Sequence, residues 1–181
     1  MEDTELIRRI QNGQKEYLNV IAEKYYDDIF YFCCYQTGSR QDAYDLAQDT
    51  FLRFIRYVEH YRHQNLKGYL LTIAMNLCRT YMREKTAAAA EWNTAGWKTS
   101  EEHLHAKPVS CQTENSLILA QALRSLPDFQ REAVLLHHFY GYKNREIARM
   151  TGASYTAVKS RVKQGLNRLH QLLDKEDFYE P

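Results

Sequence analysis

The chain has 181 residues, 44% of them hydrophobic and 26% charged, a balance typical of a folded, soluble protein and unlike that of a disordered one. Seven glycines and three prolines are few for an all-β protein, which needs many turns, so helices are expected. The net charge is only +1, but the charges are segregated: residues 62–85 and 143–168 are basic and residues 27–59 more acidic.

No charged-then-apolar leader opens the chain, and no apolar run approaches the roughly 20 residues that a transmembrane helix requires. The sequence is therefore expected to belong to a cytoplasmic protein. Three of the four cysteines, Cys33, Cys34 and Cys78, lie among apolar residues at helical spacing, and Cys111 lies further along. They are interpreted as thiols of a protein core in a reducing compartment.

Apolar residues recur at steps of three and four through most of the first half of the chain, which is the pattern of amphipathic helices. A short first helix is expected to be capped by Asp3 or Thr4 and to end at Gly13. Gly38 is expected to end the second helix, and the polar stretch 60–65 to form a loop before the fourth. The core-facing apolar residues of the second, third and fourth helices are expected within residues 18–33, 43–58 and 66–81.

The periodic pattern breaks between residues 86 and 112, which are rich in Ala, Thr, Ser, Glu and His. A segment without an apolar face cannot bury enough surface to offset the cost of ordering it, so this one is interpreted as a linker. The run Ala87–Ala90 leaves open an extension of the fourth helix. The prediction is an all-α protein with two small helical domains joined by a flexible linker, at residues 1–85, 86–112 and 113–181.

The second half contains the spacing of a helix-turn-helix within residues 144–161. Ala148 is small enough for two helices to approach closely, and Gly152, four residues later, supplies the positive φ of the turn. Val158 is expected to point back into the core. The basic residues that surround this segment favour an interaction with DNA.

Two polar residues are candidate caps of these helices: Asn144, which follows Lys143, and Ser154 before the second helix. The second helix is predicted to expose hydroxyl, amide and ammonium groups, which bind phosphates and base edges. The alternative is a helical hairpin whose basic face is merely solvated. The outward residues of the second helix are Tyr155, Thr156, Lys159, Ser160, Lys163 and Gln164.

Several segments resemble extracytoplasmic-function (ECF) sigma factors. LPDFQREAV at 126–134, EIA at 146–148 and TAVKSR at 156–161 resemble their −35-reading domain. In the first half, DAYDLAQDTF at 42–51 resembles the helix with which these proteins dock on the clamp of RNA polymerase, and YLLTIAMNL at 69–77 resembles their −10-reading helix. The order and spacing of these segments match those of the family, and the resemblance covers nearly the whole chain outside the linker.

The resemblance implies a sigma factor, a non-enzymatic subunit that gives RNA polymerase its promoter specificity. The residues implied to dock on the core enzyme are Asp45, Gln48, Asp49, Phe51, Leu52 and Arg53. The residues implied to bind the −10 element are Tyr61, Arg62, His63, Asn65, Lys67, Asn76, Arg79 and Arg83. The residues implied to bind the −35 element are Ser154, Tyr155, Thr156, Lys159, Ser160, Arg161, Lys163 and Gln164.

The implied partners are the clamp and flap of the RNA polymerase core, promoter DNA and an anti-sigma factor, with no small-molecule substrate and no cofactor. No metal is expected either. His103, His105 and Cys111, and the adjacent pair His137–His138, lack the paired ligand spacing of a zinc site.

Each implied role has a plainer alternative. For the docking helix, the alternative is an ordinary amphipathic helix with a solvated acidic face. For Tyr61 and Tyr69 the alternative is packing in the core, and for Arg161 it is bracing of its own domain. A rival from another class is a helix-turn-helix repressor or activator that acts without core polymerase. A second rival, an enzyme with an appended DNA-binding domain, has no catalytic residue set in its support.

Overall fold

A computed structural model of the chain describes residues 2–62, 64–94 and 114–173. Helices make up most of these residues and no strand occurs among them, which confirms the all-α prediction. The described helices are α1 (Asp3–Gln11), α2 (Tyr17–Thr37), α3 (Arg40–Tyr57), α4 (Leu66–Thr94), α5 (Glu114–Arg124), α6 (Asp128–Val134), α7 (Asn144–Thr151) and α8 (Tyr155–Leu173).

The described residues form two compact helical units, as predicted. The first comprises residues 2–34 and 41–94, and the second comprises residues 35–40 and 114–173. The predicted linker lies mostly at residues 95–113, outside the described residues. Its first part, up to Thr94, belongs to α4, so the extension of the fourth helix that Ala87–Ala90 left open is confirmed.

The start of α1 differs from the prediction that Asp3 or Thr4 caps it. The helix begins at Asp3 itself, after Glu2, which makes no capping side-chain hydrogen bond. The Asp3 carboxylate instead accepts hydrogen bonds from Lys24 Nζ and from the Tyr25 hydroxyl, both at 2.6 Å. The side chain is therefore used to tie α1 to α2, because a carboxylate bound to two donors on another helix is no longer available as a cap.

Helix α1 buries Leu6, Ile7 and Ile10 against the first unit, and the predicted stripe of α2 provides Ile21, Ile29 and Phe32 for the same core. These six residues are all less than a tenth exposed. Gly38, at φ +70°, ends α2 as predicted, since a left-handed residue there costs glycine nothing.

The residues of α3 that were predicted to face the core are buried, with one exception. Ile55 is 43% exposed, because it lies on the edge of the helix that turns away from the core. Cys33, Cys34 and Cys78 are buried thiols, as predicted, and a hydrogen bond with the Cys78 thiol, together with burial, raises the pKa of Cys33. Cys111 lies outside the described residues.

In the second unit α6 continues into a π-helical turn, Leu135–Phe139, which ends before Gly141 at φ +74°. Sequence periodicity did not predict the π turn. Beneath it Arg131 is buried, yet its guanidinium has partners: it pairs with the Asp128 carboxylate and donates to the backbone carbonyls of Arg124 and Leu126. A buried cation at this place therefore fixes the corner between α5 and α6.

Gly165 lies buried where α8 packs on α6. A Cβ added there would stand 2.6 Å from Cγ2 of Val134, a stiff β-branched side chain that is itself buried. We expect Gly165→Val to lower the free energy of unfolding by about 1–3 kcal/mol through overpacking. Thermal or urea denaturation of the full chain measures it, with Asn167→Val on the exposed face of α8 as the matched control. Equal stability of the two variants would show that this crossing is not tight.

Candidate functional site

The helix-turn-helix that the spacing predicted is formed by α7 and α8. Gly152 joins them in the left-handed conformation at φ +68°, and Val158 is fully buried. The cap of α7 differs from the candidate Asn144: the helix begins at Asn144, and Lys143 is the cap residue. The Lys143 backbone N–H donates to the Glu146 carboxylate at 2.7 Å, so the acid three residues on supplies the cap.

The start of α8 carries the predicted cap, since Ser154 Oγ accepts the backbone N–H of Ala157 at 3.1 Å. Beyond it, hydroxyl and ammonium groups are exposed in the first three turns of the helix. This is the part of a recognition helix that contacts bases in the major groove. The predicted −35 residues exposed here are Ser154, Tyr155, Thr156, Lys159, Ser160 and Lys163.

Two predicted −35 residues are engaged inside the unit. The guanidinium of Arg161 lies 4.8 Å from the centroid of the Phe129 ring, which is 53% exposed. The exposed Gln164 amide accepts a hydrogen bond from Gln130 Nε2 at 2.9 Å and donates to Ser160 Oγ at 3.0 Å. Both side chains therefore help to brace α8 on α6, the alternative that was left open for Arg161, and Phe129 is a surface residue that periodicity missed.

The outer face of α3 carries most of the predicted docking residues. Asp45, Gln48, Asp49, Leu52 and Arg53 are all exposed, and the Leu52 side chain is 60% exposed. A leucine so far from the core is unusual enough to call for a partner when it lies beside other exposed apolar residues.

Phe51 is a correction to that set, because its ring is buried in the core of its own unit and stacks on Tyr26 with centroids 6.3 Å apart. The structure adds Tyr44 and Ile55, which are 46% and 43% exposed. Positions 44, 48, 52 and 55 lie on one side of a helix, so counting from Leu52 alone would have found them. We call Tyr44, Leu52 and Ile55 the apolar stripe of α3.

Two carboxylates flank this stripe. Asp45 and Asp49 stand one helical turn apart and are exposed. Within the part of the chain that the structure describes, neither forms an ion pair with a lysine or arginine. An apolar stripe beside two unpaired acids fits a partner surface that is apolar and basic.

The predicted −10 residues lie on α4 and on the loop before it. Asn76 and Arg83 are exposed and Arg79 is half-buried, and their spacing of three and four places them on one face of α4. Among the loop residues, His63 lies outside the described residues. Asn65 caps α4, since its Oδ1 accepts the Gly68 N–H at 2.9 Å.

Tyr61 is buried, which favours core packing over stacking on an exposed base. Its ring meets Phe54 and Tyr69 edge-on, with centroids 6.4 and 5.0 Å away. Burial, and next the nearby Asp3 carboxylate, raise the pKa of Tyr61 to about 12, so the hydroxyl stays protonated and remains a donor. The ring thus belongs to the core of the first unit, at the start of the loop that leads to α4.

Cations of this region are held in place by the unit itself. Lys67 forms an ion pair with Asp28 at 2.8 Å. Arg62 Nη1 donates to the backbone carbonyls of Glu59 at 2.9 Å and Tyr61 at 2.8 Å. Arg62 stays exposed, so its remaining guanidinium donors face solvent.

No group of three or more metal-ligating side chains occurs in residues 2–62, 64–94 and 114–173. His137 and His138 meet edge to face, and His137 Nδ1 lies 2.8 Å from the Tyr142 carbonyl. The other residues considered, His103, His105 and Cys111, lie outside the described residues. Among the helices that the structure describes, none has the length and apolarity needed to cross a bilayer.

Two family models match the chain: Sigma-70 region 2 over residues 21–88, and Sigma-70, region 4 over residues 116–169. The ECF RNA polymerase sigma factor EcfG from Rhodopseudomonas palustris is 30% identical over 146 residues, which cover 78% of this chain and 78% of EcfG. The ECF RNA polymerase sigma factor BldN from Streptomyces coelicolor is 28% identical over 178 residues, 93% of this chain and 65% of BldN.

The fold is similar to that of the sigma factor RpoE from Bartonella quintana, solved in complex with the anti-sigma factor NepR. The TM-score is 0.72 at 24% identity, over 86% of this chain and 96% of that chain. The chain spans less than two thirds of the length of BldN, at 65%, and of SigE from Mycolicibacterium smegmatis, at 61%. With both regions matched in order, and EcfG similar across most of both chains, this chain belongs to the ECF sigma factors of the sigma-70 family.

Proposed function

We propose that this chain binds the RNA polymerase core, recognises the −10 and −35 elements of promoters and promotes DNA melting at initiation. The observation that carries the proposal is the outer face of α3, where an apolar stripe is flanked by acids without an ion-pair partner among the residues that the structure describes. The chain also has an exposed candidate recognition helix. A repressor that works on DNA alone has no use for such a face. The proposed domains are residues 1–85 and 113–181, joined by a linker at 86–112 whose first residues, up to Thr94, continue α4.

Docking on the clamp uses the apolar stripe of α3 for burial and the carboxylates for orientation. Burying apolar side chains contributes roughly 25 cal/mol per Å² of surface removed from water. Asp45 and Asp49 provide complementarity to a basic partner, which raises the association rate and selects the partner. Gln48 and Arg53 lie exposed on the same helix and supply hydrogen bonds at the rim. The flap is proposed as the partner of the second unit.

The −35 element is read by α8. Its N-terminal half enters the major groove, which brings Thr156, Lys159 and Ser160 closest to base edges. Ser154 and Tyr155 precede them at the mouth of the groove. Lys163 contacts phosphates from the next turn. Contacts of this last kind position the helix without reading sequence.

The −10 element is read by α4 and the loop that precedes it. Unstacking a base costs a few kcal/mol, which the protein offsets by holding the base outside the duplex. Asn76, Arg79 and Arg83 track the strand along one face of α4. Arg62 and Lys67 supply positive charge at the loop, where their own backbone and carboxylate partners hold them in place.

The chain is proposed to act in the cytoplasm, where RNA polymerase lies, and to carry out no chemistry itself, since the polymerase makes every bond. An anti-sigma factor is proposed as a further partner. It is supported by the similar fold of RpoE, which was solved with the anti-sigma factor NepR, and by the exposed face of α3, which a regulator would have to cover.

Run-off transcription with purified core polymerase on a library of promoter fragments tests the proposal. We expect the chain to direct initiation from a subset of fragments that share two elements with fixed spacing. The rival, a helix-turn-helix repressor or activator, would shift the same DNA without polymerase. Core enzyme that gains no promoter preference from the chain, with DNA shifted by the chain alone, would decide for the rival.

A further inference from the structure

The backbone between α3 and α4 is held by side chains. Residues Val58–His60 form a single 3₁₀ turn after α3, which the Tyr61 N–H closes by donating to the Val58 carbonyl at 3.1 Å. The carbonyls at a helix end have bonding capacity that the helix itself does not use. Here they are bound by Gln11, which lies on α1. Gln11 Nε2 is 2.9 Å from the carbonyl of Val58, 3.0 Å from that of Tyr61 and 3.4 Å from that of Glu59.

Arg62 binds two of the same carbonyls, those of Glu59 and Tyr61. The two side chains thus form a clamp, which we define as Gln11 and Arg62 with the carbonyls of Val58, Glu59 and Tyr61. Arg62 belongs to the segment that it binds and cannot fix that segment to the rest of the unit. Gln11 does so, because α1 is anchored by its buried residues Leu6, Ile7 and Ile10.

Packing does not substitute for the clamp on the outer side of this segment. A cleft of about 300 Å³ lies between part of α1 and this segment, and its lining includes Thr4 and Arg8 of α1 together with Arg62 and Gln64. The side chains of Val58 and Tyr61 hold the inner side of the segment by burial. Across the open cleft van der Waals contact is missing, so on the outer side the hydrogen bonds of the clamp hold the backbone. A displacement of about 1 Å is enough to lose much of the benefit of a positioned group.

We propose that Gln11 is a positioning residue for promoter reading: it sets the backbone that presents Arg62 and the start of α4 to the −10 element. This rests on the proposed function and deepens it, since α1 contains none of the residues implied to bind DNA. Gln11 touches no base in the proposal, and it acts through the segment 58–62.

The test measures transcription by holoenzyme on a library randomised at the −10 and −35 elements. Gln11→Glu keeps the size of the side chain but sets a carboxylate against carbonyl oxygens, whereas Gln11→Ala removes the donor without adding charge. Gln11→Lys restores a donor. Gln14→Glu is the matched control, an exposed glutamine in the turn after α1 that undergoes the same change of charge.

We expect Gln11→Glu and Gln11→Ala to reduce discrimination at one or more −10 positions by roughly tenfold, while −35 preference changes by less than about twofold. Gln11→Lys should recover most of the −10 preference, and Gln14→Glu should behave as wild type. If the Gln11 variants lower output on all sequences alike, their role is only structural and the inference is overturned. If the wild-type chain itself confers no −10 preference, the proposed function fails instead.

Discussion

Reversing both acids on the outer face of α3, in Asp45→Lys/Asp49→Lys, is expected to abolish most binding to the polymerase core. The two carboxylates are exposed and unpaired among the described residues, so the free protein loses no ion pair. At a charged interface the loss is about 2–5 kcal/mol. That corresponds to a decrease in affinity of roughly 30-fold or more. Titration of labelled core enzyme with each variant measures it.

The matched control for this variant is Glu23→Lys/Asp27→Lys on α2. Glu23 and Asp27 are also exposed acids one turn apart, so net charge and helix spacing change equally. Circular dichroism should show unchanged helicity for both. If the control and the α3 variant bind core equally well, the docking face lies elsewhere. Leu52→Asp provides a second measure of the same face, since it removes the most exposed member of the apolar stripe.

Lys159→Ala is expected to change which −35 sequence the holoenzyme prefers. Lys159 is exposed in the second turn of α8, and losing a base contact of this kind costs about 1–3 kcal/mol at one position. Transcription from a library randomised across the −35 element measures the preference. An unchanged preference would remove Lys159 from the base contacts.

Arg161→Ala is expected to act differently, by reducing output on every sequence. Its guanidinium lies over the Phe129 ring, a contact that contributes about 0.5–1 kcal/mol at an exposed site. Phe129→Ala separates the two roles still open for Arg161. If Arg161 only braces α8, both variants lower thermal stability alike and leave the salt dependence unchanged. If it also binds a phosphate, Arg161→Ala alone lowers the salt slope by about one unit.

The helix-turn-helix was largely predictable because it depends on local spacing. A small residue, a glycine and a buried valine at fixed intervals specify a helix-turn-helix, and Gly152 and Val158 occupy the expected conformation and burial. Ser154 caps α8 because its hydroxyl reaches a backbone N–H three residues away. Such contacts lie within one turn of the chain, so sequence alone contains them.

On α3 the set of residues proposed for docking combines five exposed side chains with one buried ring, that of Phe51. Neighbouring residues on a helix point about 100° apart. Phe51 and Leu52 are therefore easily exchanged in an assignment from sequence, although one is buried and the other is 60% exposed. Which of two adjacent apolar residues is buried depends on where Tyr26 of α2 packs, and that is a tertiary contact.

The sequence by itself determined the helices, the glycine that ends α2, the buried thiols and the two regions of the family, since periodicity, backbone conformation and motif order are local properties. Only the tertiary structure decided that Tyr61 is buried in the core and that Gln11 holds the segment after α3. Gln11 and the carbonyls of Val58 and Tyr61 are 47 and 50 residues apart in the chain. A backbone carbonyl is the same group in every residue, so no side-chain pattern marks which ones a distant amide will bind.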